Sequence, residues 1–215
     1  MKISELLETP YQTRVKNKTV DKDLDYFTLN VGKINPKYDP KQGMYSVVTP
    51  DNSDPHMVRK TSKAPRKPDF KEGFVKFVEY IIENKHQDNI HFPRIYDVKS
   101  FTDKNGLHIE SFQIEKLVDA KYIDPDVLID YQESLLGWRP RYDEWEQNYT
   151  IADKIRTAVY KGQSGVFESE ELNQACDILA KARIEVDSYP DIHSGNIMYR
   201  QTRYGIQLVI TDPFS

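Results

Sequence analysis

Apolar and polar positions change their period near the middle of the chain. In the first half, Gly43-Met44-Tyr45-Ser46-Val47-Val48-Thr49 predicts a strand after a turn. Pro50–Pro55 reads as a turn, and Met57-Val58-Arg59-Lys60 as a short returning strand. Pro68-Asp69 opens a helix whose apolar stripe is Phe70, Phe74, Phe77, Val78, Ile81 and Ile82, ending before Asn84-Lys85. Phe92-Pro93-Arg94-Ile95-Tyr96-Asp97-Val98 begins a further strand. A turn at Asp103-Lys104-Asn105-Gly106 joins it to Leu107–Leu117, with Asn-Gly as the hairpin signal. From Pro125 the spacing becomes three and four, predicting helices near Val127–Leu136, Tyr142–Tyr160 and Ser169–Val186. Gly137, Pro140, Gly162 and Gly165 punctuate them, and Ser169 has the position and chemistry of an N-cap. Residues 1–40 are polar, broken by Pro10, Pro36 and Pro40, with a short strand or helix within Tyr26–Val31. A β-rich first half and an α-rich second half, joined near Val118–Ala120, predict an α+β chain in two lobes with a ligand cleft at the joint.

Composition narrows the classes. The 215 residues are 38% hydrophobic and 30% charged, enough for a globular core under a wet surface. A net charge of -4 argues against nonspecific nucleic-acid binding as the main activity. No apolar run approaches the roughly 18 residues of a membrane span, and Met1–Glu8 is too short and acidic for a signal peptide. The single cysteine, Cys176, excludes an internal disulfide and is expected to be a buried small hydrophobe. Together these predict a soluble protein of a reducing cytoplasm. The basic run Lys60–Lys67 reads as a solvated loop or a phosphate-attracting one. His56, His86, His91 and His108 lack metal-ligand spacing and are expected on the surface. Trp138 and Trp145, with Tyr142 and Tyr149, sit at helical spacing and are expected mainly in the core; covering a partner is the alternative.

The candidate chemistry lies near the carboxyl end. Asp191-Ile192-His193-Ser194-Gly195-Asn196 leads into Ile197-Met198-Tyr199, and after a turn the apolar run Ile206–Ile210 leads to Thr211-Asp212-Pro213. An acid, a carboxamide five residues on and a second acid at the end of a strand suit a site for Mg²⁺ and nucleotide phosphates. In this reading Asp191 orients the acceptor hydroxyl and takes its proton, and His193 offers a donor to the transferring phosphate. Asn196 and Asp212 supply oxygen ligands for Mg²⁺. Asp, Ser, Gly and Asn also favour plain turns, which is the structural alternative.

These residues closely resemble the early serine/threonine protein kinases of T-seven-like podophages. More distantly, Asp-x-His-x-x-Asn is similar to the loop of aminoglycoside and fructosamine kinases, which share the protein-kinase-like fold. The local match covers about 25 residues. The resemblance implies a bilobal protein-kinase-like fold: residues 1–118 form a β-rich N-lobe with one long helix, and residues 119–215 a reduced helical C-lobe. It implies ATP and Mg²⁺ as cofactors, and transfer to serine or threonine of host transcription and translation proteins in a bacterial cytoplasm. It also implies a nucleotide-gripping lysine on the third strand, supplied by Lys60, after a glycine loop represented only by Gly43. Glu79, or else Glu72, would pair with that lysine. In Ile114-Glu115-Lys116-Leu117-Val118, backbone groups of Glu115 and of Leu117 or Val118 would meet adenine.

The pattern departs from the family in three places. Tyr189-Pro190 replaces the usual His-Arg before the catalytic acid, and Asp212-Pro213-Phe214 replaces Asp-Phe-Gly. The sequence ends three residues after Asp212, which leaves a minimal catalytic domain, a truncated form or an ATP-binding relic as readings. A small-molecule kinase and a catalytically dead protein that grips a host target are the rival functions.

Overall fold

The computed structural model describes residues 41–42, 46–63, 71–102, 108–140 and 148–215. It is a mixed α+β protein; the described residues form an antiparallel sheet, four α-helices and a separate hairpin. Contacts divide it into two compact units. Among the described residues, the first ends at Lys116 and the second holds Asp88–Pro93 with Leu117–Ser215.

The first unit contains strands β1 (Lys41–Gln42), β2 (Ser46–Pro50), β3 (Met57–Lys63), β4 (Ile95–Thr102) and β5 (His108–Glu115). They lie in the order β1-β2-β3-β5-β4, every neighbour antiparallel. Helix α1 (Gly73–Glu83) comes between β3 and β4 in the chain. It forms because Phe74, Phe77, Val78, Ile81 and Ile82 recur on one face, and all are buried. Asn84 ends it, and Lys85 turns the chain in the left-handed region at φ 58°. Phe74 meets Phe112 of β5 edge-on at 5.2 Å between ring centres, and neither ring is exposed. On β3, Val58, Lys60 and Ser62 alternate onto the buried side, whereas Arg59 lies on the other. The Asp51 carboxylate receives Arg59 at 3.0 Å, the backbone N–H of Ser53 at 2.8 Å and the Ser53 hydroxyl. Those Ser53 bonds, with the Arg59 charge, hold its carboxyl down at about 2.

The second unit packs helices α2 (Pro125–Leu136), α3 (Tyr149–Lys161) and α4 (Glu170–Glu185) with the hairpin β6 (Ile197–Thr202) and β7 (Gly205–Ile210). Its helix ends follow local rules. Asp124 caps α2 by accepting from the Asp126 N–H at 2.9 Å, with Pro125 at the first helical position. Gly137 and Gly162 close α2 and α3 in the left-handed conformation, at φ 74° and 62°. Ser169 caps α4 as expected, its hydroxyl accepting from the Leu172 N–H at 3.2 Å. Phe92, Leu128, Ile151, Ile155, Leu172, Leu179, Ile192 and Tyr199 are among the large side chains wholly buried in this unit.

Three sequence expectations need correction. His91 is 1% exposed rather than on the surface: its Nδ1 donates to the Leu208 carbonyl at 2.9 Å, and its own carbonyl accepts from Ile210 N–H at 2.8 Å. Arg200 of β6 draws the same segment in, donating to the carbonyls of Ile90 at 2.7 Å and Phe92 at 3.0 Å. Trp138 and Tyr149 are 47% and 53% exposed, so neither is core. Tyr142, Trp145, Phe70, the Asp103–Gly106 turn and the Tyr26–Val31 element lie outside the described residues. Cys176 is buried as expected, which pushes its thiol up to about 12. Among the described residues no helix is long and apolar enough to cross a membrane.

Candidate phosphotransfer site

The polar loop after α4 is held in place by backbone pairing with the segment that follows β7. Ser215 N–H donates to the Tyr189 carbonyl at 3.1 Å, Asp191 N–H to Pro213 at 2.8 Å, and Thr211 N–H to Asn196 at 2.9 Å. Pro190 and Phe214 form an isolated antiparallel bridge, and Phe214 is buried. Ile192 anchors the middle of the loop, 1% exposed. The two halves of the sequence motif, about twenty residues apart, therefore form one structure.

Asn196 joins them by its side chain. Its Nδ2 donates to the Asp191 carbonyl at 2.7 Å and to the Asp212 carbonyl at 2.9 Å. Both amide protons are thereby used on backbone oxygens. Its Oδ1, which can only accept, makes no hydrogen bond among the described residues. An acceptor oxygen fixed in direction beside the Asp212 backbone is the donor type that Mg²⁺ takes. Among the described residues there is no group of three or more His, Cys, Asp or Glu that could hold a metal by themselves. A site of one amide oxygen and one carboxylate fits the ion that completes its shell with water and phosphate oxygens. The donor chemistry of Asn196 and Asp212, an amide oxygen and a carboxylate, is compatible with Mg²⁺.

His193 caps the 3-10 turn Ser194–Asn196, and its Nδ1 accepts from Gly195 N–H at 3.0 Å. A backbone N–H can only donate, so Nδ1 carries the lone pair and the ring proton sits on Nε2. The imidazole is exposed, so that Nε2–H is available as a donor at the surface of the loop. A Cβ at Gly195 would lie 2.9 Å from His193 Cε1 and 3.2 Å from Nδ1, so glycine lets the exposed ring keep this position.

A buried amide that the sequence did not single out supports the loop from below. Asn148, at the start of α3, donates from Nδ2 to the Ile197 carbonyl at 3.1 Å and the Ser194 carbonyl at 3.4 Å. Its Oδ1 accepts from the Tyr199 hydroxyl at 2.7 Å and from Gln132 Nε2 at 3.2 Å. Gln132 also donates to the Tyr199 oxygen at 3.0 Å. Asn148 falls within the helix expected over Tyr142–Tyr160, where a polar side chain reads as solvent-facing, so the sequence gives no signal for its buried role.

The remaining predicted residues lie as follows. Lys60 is 5% exposed, with its ammonium 3.9 Å from the Phe74 ring centre. Glu79 does not pair with it; its carboxylate bridges Lys71 instead, and it lies close enough to Glu110 to help burial raise that carboxyl. Glu72, the runner-up, does not pair with Lys60 either. It precedes the first turn of α1, with a buried Oε2 that accepts no hydrogen bond among the described residues. The Glu115 N–H donates to the Arg94 carbonyl at 3.1 Å and its Oε1 accepts from Arg94 N–H at 2.8 Å. Val118 exchanges both backbone bonds with Tyr199 at 2.8 Å. Leu117 makes no backbone hydrogen bond among the described residues, so of the two alternatives it has the groups to offer a ligand. Gly43 lies outside the described residues.

No family model matches the chain, and no curated protein matches it significantly.

Proposed function

We propose that the chain is an ATP- and Mg²⁺-dependent phosphotransferase acting on serine or threonine hydroxyls of proteins. The observation that carries the reading is the double hydrogen bond from Asn196, which couples the Asp191 loop to Asp212 and orients one amide oxygen. Phosphoryl transfer requires little covalent chemistry from the protein; it requires positioned charges and a positioned hydroxyl. Asp191 accepts the proton of the acceptor hydroxyl as its oxygen bonds the γ-phosphorus and the bond to the ADP oxygen breaks. The Nε2–H of His193 donates to an oxygen of the group in transit. Asn196 and Asp212 would hold Mg²⁺, whose charge offsets that of the phosphate oxygens. Lys60, on the buried side of β3, is assigned to the α- and β-phosphates, and Leu117 to the adenine edge.

The sheet of the first unit, with α1 between β3 and β4, supports the β-rich, one-helix first lobe that the resemblance implies. Family resemblance supplies the setting: a bacterial cytoplasm, with host proteins as acceptors. The test is incubation with γ-labelled ATP, Mg²⁺ and a bacterial lysate, comparing the natural chain with Asp191→Asn and Asp212→Asn. Label on protein that falls at least a hundredfold in both variants is the expected result, in the range typical for loss of a general base or a charge-stabilising group. Label on a small metabolite would favour the small-molecule kinase. Equal labelling by all three proteins would end the proposal.

A further inference from the structure

The second unit carries a groove of about 240 Å³ lined by Arg156, Thr157, Tyr160 and Lys161 of α3 together with Tyr189 and Pro190. Pro190 is followed directly by Asp191, so the groove begins where the candidate catalytic loop begins. Two tyrosines on its wall are left to solvent, Tyr189 at 74% and Tyr160 at 57% exposure. Exposed tyrosines beside cations make up the residue mix of protein-binding surfaces. A third cation joins them, since the guanidinium of Arg183 lies 4.9 Å from the Tyr160 ring centre. No acid lines the groove. Asp153 on the same helix bridges Arg156, which remains half exposed. In a chain of net charge -4 this is a local reversal of sign.

We infer that this groove docks an acidic peptide, the segment flanking an acceptor serine or threonine. The inference rests on the phosphotransfer reading and adds a substrate class to it. Arg156, Lys161 and Arg183 attract the carboxylates, and the tyrosine hydroxyls and ring faces hold the backbone between them. A peptide seated there delivers its hydroxyl to the loop whose carboxylate takes the proton. Three cations are too few for a run of nucleic-acid phosphates, each of which needs its own neutralising charge.

The test uses the full chain and two fluorescent serine peptides, one flanked by glutamates and one by neutral residues of equal length, read by anisotropy without ATP. The acidic peptide should bind about tenfold tighter, the worth of two or three exposed ion pairs, and salt should erode the difference. Arg156→Gln/Lys161→Gln should abolish the preference, and Arg156→Glu/Lys161→Glu should turn it toward a lysine-flanked peptide. Equal binding of the two peptides, or a preference unmoved by either double variant, overturns the inference. Phosphate transfer is then measured on the same peptides. Transfer without any acidic preference removes the groove and leaves the enzyme. Acidic binding that depends on Arg156 and Lys161, without transfer to any peptide, keeps the groove and removes the enzyme.

Discussion

Replacing Asn196 by aspartate probes the structural core of the account with a change of one group, NH₂ for O⁻. The native Nδ2 donates at 2.7 and 2.9 Å to two backbone carbonyls, those of Asp191 and Asp212. Each such bond contributes about 0.5–1.5 kcal/mol net, so losing both costs about 1–3 kcal/mol. Aspartate adds repulsion, because a carboxylate oxygen would replace a donor between two carbonyl oxygens, which puts the expectation near 3 kcal/mol. In a protein of this size that is a fall of about 6–12 °C in Tm. Asn196→Ala removes the bonds without adding charge and should lose less, about 1–2 kcal/mol. Differential scanning calorimetry on the three proteins measures the order, and hydrogen exchange of the Asp191 N–H, which donates to Pro213 at 2.8 Å, reports the loosening locally. An aspartate variant as stable as the natural chain, or more stable than the alanine variant, would refute the bridging role of the amide.

Other expectations follow from named contacts. Asn148→Leu removes the acceptor of the buried Tyr199 hydroxyl, one acceptor of the Gln132 amide and a donor to the Ile197 carbonyl, so chemical denaturation should show a loss of about 3 kcal/mol. Gly195→Ala places a methyl group 2.9 Å from the His193 ring; the ring should swing out, and the Nδ1 signal of His193 in a nitrogen-15 spectrum should lose its hydrogen-bonded shift, with little change in Tm because the site is exposed. Burial lowers the His91 pKa below its usual 6.5, opposed by the Leu208 carbonyl, so the unfolded chain binds more protons than the native one just below that pH. The His91 contribution is thus present above pH 6.5 and is lost as pH falls toward the depressed value, and the decline in Tm over that window should be shallower in His91→Gln. Asp51 acts lower down: its stabilisation holds above pH 3.8 and fades toward pH 2, a loss that Asp51→Asn should not show.

Legibility in the sequence followed the range of the interactions. Helix ends are set by neighbours in the chain, so the Ser169 cap and the breaks at Gly137 and Gly162 could be read directly. The Asp191–Asn196 loop and Asp212 could be grouped because an apolar strand pair between them brings its two ends together, Ile197 opposite Ile210. Contacts fixed by tertiary packing were not readable. Glu79 has a plausible separation from Lys60, but the rotation of α1 carries its carboxylate to Lys71 and toward Glu110. Trp138 continues the helical spacing on paper, yet the left-handed Gly137 ends the helix one residue earlier and leaves the indole in solvent. His91 looks like a polar loop residue until Leu208 and Ile210 of β7 supply its partners from more than a hundred positions away. Asn148 belongs to the same class, since its four partners come from two stretches of chain, Gln132 on one side and Ser194–Tyr199 on the other.

The central claim is that the Asn196 amide, tied by its nitrogen, presents its oxygen together with Asp212 to a divalent ion carrying nucleotide phosphates. Nuclear magnetic resonance of the nitrogen-15-labelled chain with ADP and Mn²⁺, a paramagnetic ion that accepts the same oxygen ligands, tests it most directly. The Asn196 side-chain amide signals should broaden beyond detection when both are added, and Asp212→Asn should restore them. Sharp, unmoved Asn196 signals in the presence of excess Mn²⁺ and ADP would contradict it.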